Sequence, residues 1–167
     1  MKKTITAKTI SIAISAMLML TGCGGDGEAV EANATVSTAA EVTASGITSA
    51  VMAEIEIPSA MEKNAENIGA YYDIDTTTVM EMSVFICGSG AYPDELAVFE
   101  FNDEASAKAG AEAVQNRLDS QIAIYKDYTP AEIYKLEEAV IITNGNWVAF
   151  AACADNARAK EIIENML

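Results

Sequence analysis

Two apolar, β-rich runs, Ala139–Thr143 and Trp147–Ala154, flank a break that opens with Asn144-Gly145. Asn-Gly supplies the positive backbone dihedrals of a two-residue type I′ turn, whose twist matches that of paired strands. The spacing predicts a hairpin, and a hairpin commits this part of the chain to a sheet. Upstream, Val79–Cys87 alternates Met80, Met82, Val84 and Ile86 with Glu81, Ser83, Phe85 and Cys87, which is the period of a strand. The stretch Gly88-Ser89-Gly90-Ala91-Tyr92-Pro93 is loop chemistry. The run Glu95–Phe101 that follows is apolar on both sides, so it is expected at the centre of the sheet.

Between these two pairs the period becomes helical. Ala107, Ala111, Val114, Leu118, Ile122 and Tyr125 form one stripe behind a cap at Asn102 or Asp103, predicting a helix to about Lys126. Thr129-Pro130-Ala131-Glu132 combines a capping box with proline at the first helical position, so a short helix should precede the hairpin. Ile47, Val51, Met52 and Ile55 predict an opening helix stopped by Pro58, and Met61–Tyr71 carries a weaker helical pattern. Asp155 can cap a closing helix through Ile162, Ile163 and Met166. The order α-β-β-α-β-β-α predicts one α+β domain over residues 47–167, a mostly antiparallel four-stranded sheet packed with helices.

The first 46 residues have another composition. Lys2, Lys3 and Lys8 precede the apolar run Thr9–Leu20, which ends on small residues. A basic start, an apolar stretch and a small-residue cleavage site describe a secretory signal over residues 1–22. At about 20 residues for a membrane crossing, the run is too short for a stable spanning helix. Leu20-Thr21-Gly22-Cys23 resembles the bacterial lipobox. That resemblance implies a lipidated Cys23 as the first mature residue, a membrane anchor through its acyl chains, and a place on the outer face of the cytoplasmic membrane. An ordinary cleaved signal with an incidental cysteine is the alternative. Gly24–Gly46 has no aromatic, lysine or arginine and reads as a flexible acidic linker reaching roughly 25–30 Å. The whole chain carries a formal charge of −15; loss of the three leading lysines leaves 7 basic against 25 acidic residues, or −18.

The chain contains no histidine. Ser-His-Asp and Cys-His nucleophiles, imidazole acid–base chemistry and His-ligated zinc are thereby excluded. The acidity argues against a nucleic-acid partner, because phosphate affinity comes from clustered lysine and arginine. Cys87 and Cys153 are the two cysteines left beyond Cys23, and they are either a disulfide across the sheet, worth about 4 kcal/mol, or two buried thiols. Two cysteines alone make an incomplete metal site. Ser89 between two glycines has neither a base nor the Gly-x-Ser-x-Gly pattern of a nucleophile elbow, and a turn accounts for it. The acid pairs Asp73/Asp75, Asp94/Glu95, Asp103/Glu104 and Glu137/Glu138 match no calcium loop; Asp73-Ile74-Asp75 comes nearest and equally suits a cap on the strand after it. Phe85, Tyr92 and Trp147, with Tyr71 and Tyr72, would form a contact patch if one sheet face lay open, and core packing is the alternative.

Several stretches recur together in one family: the lipobox, Pro93-Asp94-Glu95-Leu96-Ala97-Val98-Phe99, the long helix ending near Tyr128-Thr129-Pro130, and Ala139-Val140-Ile141-Ile142-Thr143-Asn144-Gly145-Asn146. In this order they resemble bacterial lipoproteins of the Firmicutes catalogued as domain of unknown function 4358. The resemblance covers about Ile47–Leu167. It implies the fold and the extracytoplasmic location, and no activity, cofactor or site residue. Composition and motifs together favour a non-catalytic, lipid-anchored module that binds or organises an envelope partner. An enzyme working through carboxylates on an envelope substrate, or a weak divalent-cation binder, is the alternative.

Overall fold

The hairpin forms, one residue out of the expected phase. Val140–Asn144 (β4) and Trp147–Ala152 (β5) pair antiparallel, with Asn144 opposite Trp147, so the two loop residues are Gly145 and Asn146. Gly145 has φ 56° and Asn146 is not among the positive-φ residues, a pattern that fits a type II′ turn and not the expected type I′. Asn146 is committed elsewhere. Its carbonyl accepts from Phe101 N at 2.8 Å, and its side-chain Nδ2 donates to the Phe101 carbonyl at 2.8 Å and to Glu100 at 3.2 Å.

The computed structural model describes residues 41–167. The leader, Cys23 and most of the linker lie outside the described residues. Val79–Cys87 (β2) and Glu95–Phe101 (β3) form where the alternation placed them. The sheet is antiparallel throughout, in the order β1-β2-β3-β5-β4, with β3 at its centre. It has five strands where four were expected. The extra one, Ala60–Lys63 (β1), occupies the start of the weak helical stretch, which holds no α-helix and only a 3-10 turn at Ile68–Ala70. Pro58 and Ser59, the latter at φ 51°, reverse the chain there, and Gly88 N donates to the Ser59 carbonyl at 3.0 Å. That turn aligns Ala60–Lys63 along β2 and overrides a weak propensity.

Helices cover both faces. Ala44–Met52 (α1) starts three residues ahead of Ile47, capped by Thr43, whose side chain accepts from Gly46 N. Glu104–Tyr128 (α2) is capped by Asp103, and Asn156–Met166 (α4) by Asp155, as the sequence predicts. At Thr129-Pro130 a 3-10 turn and the four-residue helix Tyr134–Glu137 (α3) form without the capping box: the Thr129 hydroxyl makes no cap bond. Glu132 pairs with Lys135 at 2.8 Å instead.

The alternation of β3 and β5 sorts the core into two halves. Ala97, Phe99, Phe101, Val148, Phe150 and Ala152 pack with Ala107, Val114, Leu118 and Tyr125 of α2. Leu96, Val98, Ala149 and Ala151 pack with Ile47 and Val51 of α1 and with Ala159, Ile162 and Ile163 of α4. The result is three layers, helix–sheet–helix. On the α2 side the approach is close at Gly110, where an added Cβ would lie 2.2 Å from Phe101 Cζ. Gly110→Ala should therefore lower the urea midpoint, by about 1–3 kcal/mol of stability, although alanine is the better helix former; an unchanged or higher midpoint would show that the helix seats elsewhere.

Candidate functional site

A central strand that begins with two acids poses an electrostatic problem, because a carboxylate leaving water needs partners. Glu95 is the first residue of β3 and Asp94 stands directly before it, and each is 1% exposed. Successive side chains leave a strand on opposite sides, and these two take separate partners.

Glu95 turns toward α2. Arg117 reaches it with a forked pair of bonds, Nη2 to Oε2 at 2.9 Å and Nε to the same oxygen at 3.2 Å. The Tyr72 hydroxyl donates to Oε1, and Gln121 Nε2 lies 3.5 Å from Oε2. Burial, then the charge of Glu95, pushes the Tyr72 phenol well above the ordinary tyrosine value. Burial opposes the charge on Arg117, but Glu95 outweighs it and holds the guanidinium above its usual pKa. The Arg117 guanidinium also lies 5.5 Å from the Tyr71 ring centre.

Asp94 goes to Lys135 of α3, whose Nζ donates to Oδ2 at 2.8 Å. Asp94 Oδ1 is buried and has no hydrogen-bond partner among the described residues. Burial raises the Asp94 pKa despite Lys135, while Asp94 and Glu132 together raise that of Lys135 despite its burial. We read the geometry as a closed ion pair, since a 2.8 Å contact to a buried ammonium is best satisfied by a carboxylate. Asn156 ties the same end together, donating to the Lys135 carbonyl and accepting from Cys153 N.

The cavity beside Glu95 is small, about 180 Å³, and is lined by Tyr71, Tyr92, Arg117, Gln121 and Tyr125 among others. A larger one, about 380 Å³, lies at the start of α2 among Asp73, Asp75 and Asp103 over Phe101 and Gly110. Its acids are partly spent. Asp75 accepts from Thr77 N at 3.0 Å and Thr77 Oγ1 at 2.7 Å, which caps the 3-10 turn leading into β2. Asp103 accepts from Ser106 N at 2.7 Å as the cap of α2. Both carboxyls are held below the usual aspartate range by those bonds. Among the described residues no group of three or more cysteine or acidic side chains is placed to hold a metal ion.

The disulfide is not made. Cys87 and Cys153 are both free and buried. Cys87 N bonds the Asp94 carbonyl, and Glu95 pairs with Ala152, so β3 stands between the two cysteines. Two strand spacings put their Cα atoms about 10 Å apart, beyond the roughly 7 Å that a disulfide spans. The thiols also differ in chemistry. Burial pushes Cys153 up to about 11. At Cys87 burial is outweighed by the Ser89 hydroxyl and the N–H groups of Tyr92, Ser89 and Gly90, so its pKa falls below the ordinary thiol value. Ser89, 3.2 Å from Cys87 Sγ, is a turn residue.

The aromatic patch is not assembled either. Phe85 pairs with Leu96 at the head of β3 and Trp147 with Glu100 near its tail, about 13 Å along the strand. Trp147 packs against the α1/α4 half of the core, and Tyr72 is buried under Glu95. Tyr92 stays 43% exposed in the loop before β3, its ring 5.4 Å from Lys135 Nζ. The sequence offers Asp94 and Glu95 only as one acid pair among four, and it gives no sign of Arg117 and Lys135 as their partners. The available signal was the position of an acid pair at the head of a strand apolar on both faces.

The family model described as domain of unknown function (DUF4358) matches residues 53–153, from the end of α1 to the end of β5. The chain belongs to this family. The matched span contains the whole sheet, both ion pairs and α2. Neither the curated proteins nor the solved structures contain a match.

The Tyr72–Glu95 bond has a consequence for pH. The phenol is raised in the folded state, so above pH 10 the unfolded chain loses a proton that the folded one keeps. The folded state then binds more protons and stability falls as pH rises. Tyr72→Phe should flatten that alkaline loss relative to wild type in urea titrations between neutral pH and the alkaline limb; an identical slope in both proteins would contradict the assignment.

Proposed function

We propose that this member of the family is a lipid-anchored extracytoplasmic module, of the bacterial Firmicutes lipoprotein type, that binds an envelope partner and performs no catalysis of its own. The observation that carries the proposal is how the domain spends its acids. In a chain without histidine, catalysis would fall to carboxylates, as it does in glycosidases, where two stand across a substrate. Here the buried acids Asp94 and Glu95 hold helices to the sheet, Asp75 caps a 3-10 turn and Asp103 caps α2. Each is bound to protein in a structural role. No helix among the described residues is long and apolar enough to cross a membrane; the Leu20-Thr21-Gly22-Cys23 motif supports attachment through a lipid.

The charge supports a binding role with a defined preference. Residues 41–167 hold 22 acidic and 7 basic side chains, and four of those bases are already paired with acids. Such a surface attracts cationic partners and is repelled by anionic lipid, so the module stands off the membrane on its linker. Fractionation and cross-linking in the native host test the proposal together. Wild-type protein should sediment with membranes, Cys23→Ala should lose its lipid, and a reproducible cross-linked partner should appear. A soluble, unlipidated wild type would contradict the anchor. Release of wall fragments that depends on one aspartate or glutamate would contradict the absence of catalysis.

A further inference from the structure

The two edges of the sheet are treated differently. β1 is four residues long, follows Pro58 and the positive-φ Ser59, and contributes Glu62 and Lys63. Prolines, charges and brevity are the usual means by which edge strands are kept from pairing with other chains. β4 has none of them. It reads Val140-Ile141-Ile142-Thr143-Asn144, β-branched for four residues, without charge or proline. Its apolar side chains are anchored: Ile141 packs on the α2 half of the core, and Val140 and Ile142 on the α1/α4 half. What stays open is the main chain.

The hairpin decides which groups those are. With a two-residue loop, Asn144 and Trp147 form a hydrogen-bonded pair, so Val140, Ile142 and Asn144 direct their N–H and C=O toward β5. Ile141 and Thr143 direct theirs outward. Among the described residues, no main-chain bond to any other element engages either residue. A rigid, core-anchored strand offering two donors and two acceptors is the template used when an extended peptide adds to a sheet.

A second copy of the chain would bring two strongly acidic domains together, and Glu137 and Glu138, both exposed, stand directly before the strand. Like charges at that approach disfavour self-pairing and favour a cationic segment. We propose that the outer edge of β4 binds an extended, lysine- or arginine-bearing segment of a partner protein as a sixth strand, hydrogen-bonded through Ile141 and Thr143. This rests on the binding-module proposal and names the surface it uses.

The test is amide-resolved NMR of the mature protein with a short alternating Lys-Val peptide as probe. The peptide should shift the amide signals of Ile141 and Thr143 and slow their exchange with solvent about tenfold, leaving β1 unchanged. The Glu-Val version should bind at least about tenfold more weakly. Thr143→Pro removes one outward donor without touching the β4–β5 ladder and should abolish the effect. If that variant fails to fold, Thr143→Lys at the same exposed position keeps the hairpin and should weaken binding by charge. Unperturbed Ile141 and Thr143 amides at saturating peptide, equal binding of the Glu-Val peptide, or protection of the two amides by dimerisation without peptide would each overturn the proposal. A cross-linked envelope partner bound elsewhere would overturn it while leaving the binding module standing.

Discussion

The forked ion pair between Glu95 and Arg117 joins two of the three layers where neither could do without the other. Glu95 sits on the central strand at 1% exposure, and Arg117 is two-thirds of the way between the cap of α2 and the close contact of Tyr125 with the 88–92 loop. A buried pair of this kind contributes little over an apolar substitute, but losing one partner leaves an unpaired charge and costs about 3–5 kcal/mol. It therefore fixes register more than it adds stability. Arg117 can be satisfied only with α2 at one rotation, the same rotation that lays Gly110 against Phe101.

The neighbouring pair does a matching job at the end of the sheet. Asp94 draws Lys135 inward, and Lys135 holds the short segment between α2 and β4, which also buries Leu136 in the α2 half of the core. Asn156 then connects that segment to the start of α4. Two adjacent acids at the head of β3 thus position α2 and α3, Asn156 ties α4 to them, and among the described residues the outer edge of the hairpin is unpaired. The apolar side chains of β4 pack on both halves of the core, and a strand already formed lowers the entropic cost of adding another beside it.

Much of the fold was legible because it is written in local periods. The ranges of β2 and β3, the caps Asp103 and Asp155 and the central place of β3 follow from alternation and short-range chemistry. What escaped depends on contacts distant in sequence. β1 forms because a turn at Ser59 meets Gly88 across the sheet, and the Met61–Tyr71 stretch carries no trace of that bond. The turn phase at Gly145 is set by Asn146 bonding to Phe101, 45 residues away. By number the cysteines could be a disulfide or two buried thiols, and the choice between them depends on strand order, which alternation does not encode. At the site, the acids were visible and their partners were not, because an arginine on a helix face looks solvated until the strand beneath it is known.

The central claim is that the acids of β3 are structural anchors, and a double-mutant cycle at Glu95 and Arg117 tests it most directly. Glu95→Leu and Arg117→Met should each be strongly destabilising, and the double variant should recover much of the loss, with a coupling of at least about 1.5 kcal/mol and a cooperative unfolding transition. Effects that add to within about 0.5 kcal/mol would mean that the two residues do not act as one buried pair, and the account would fail.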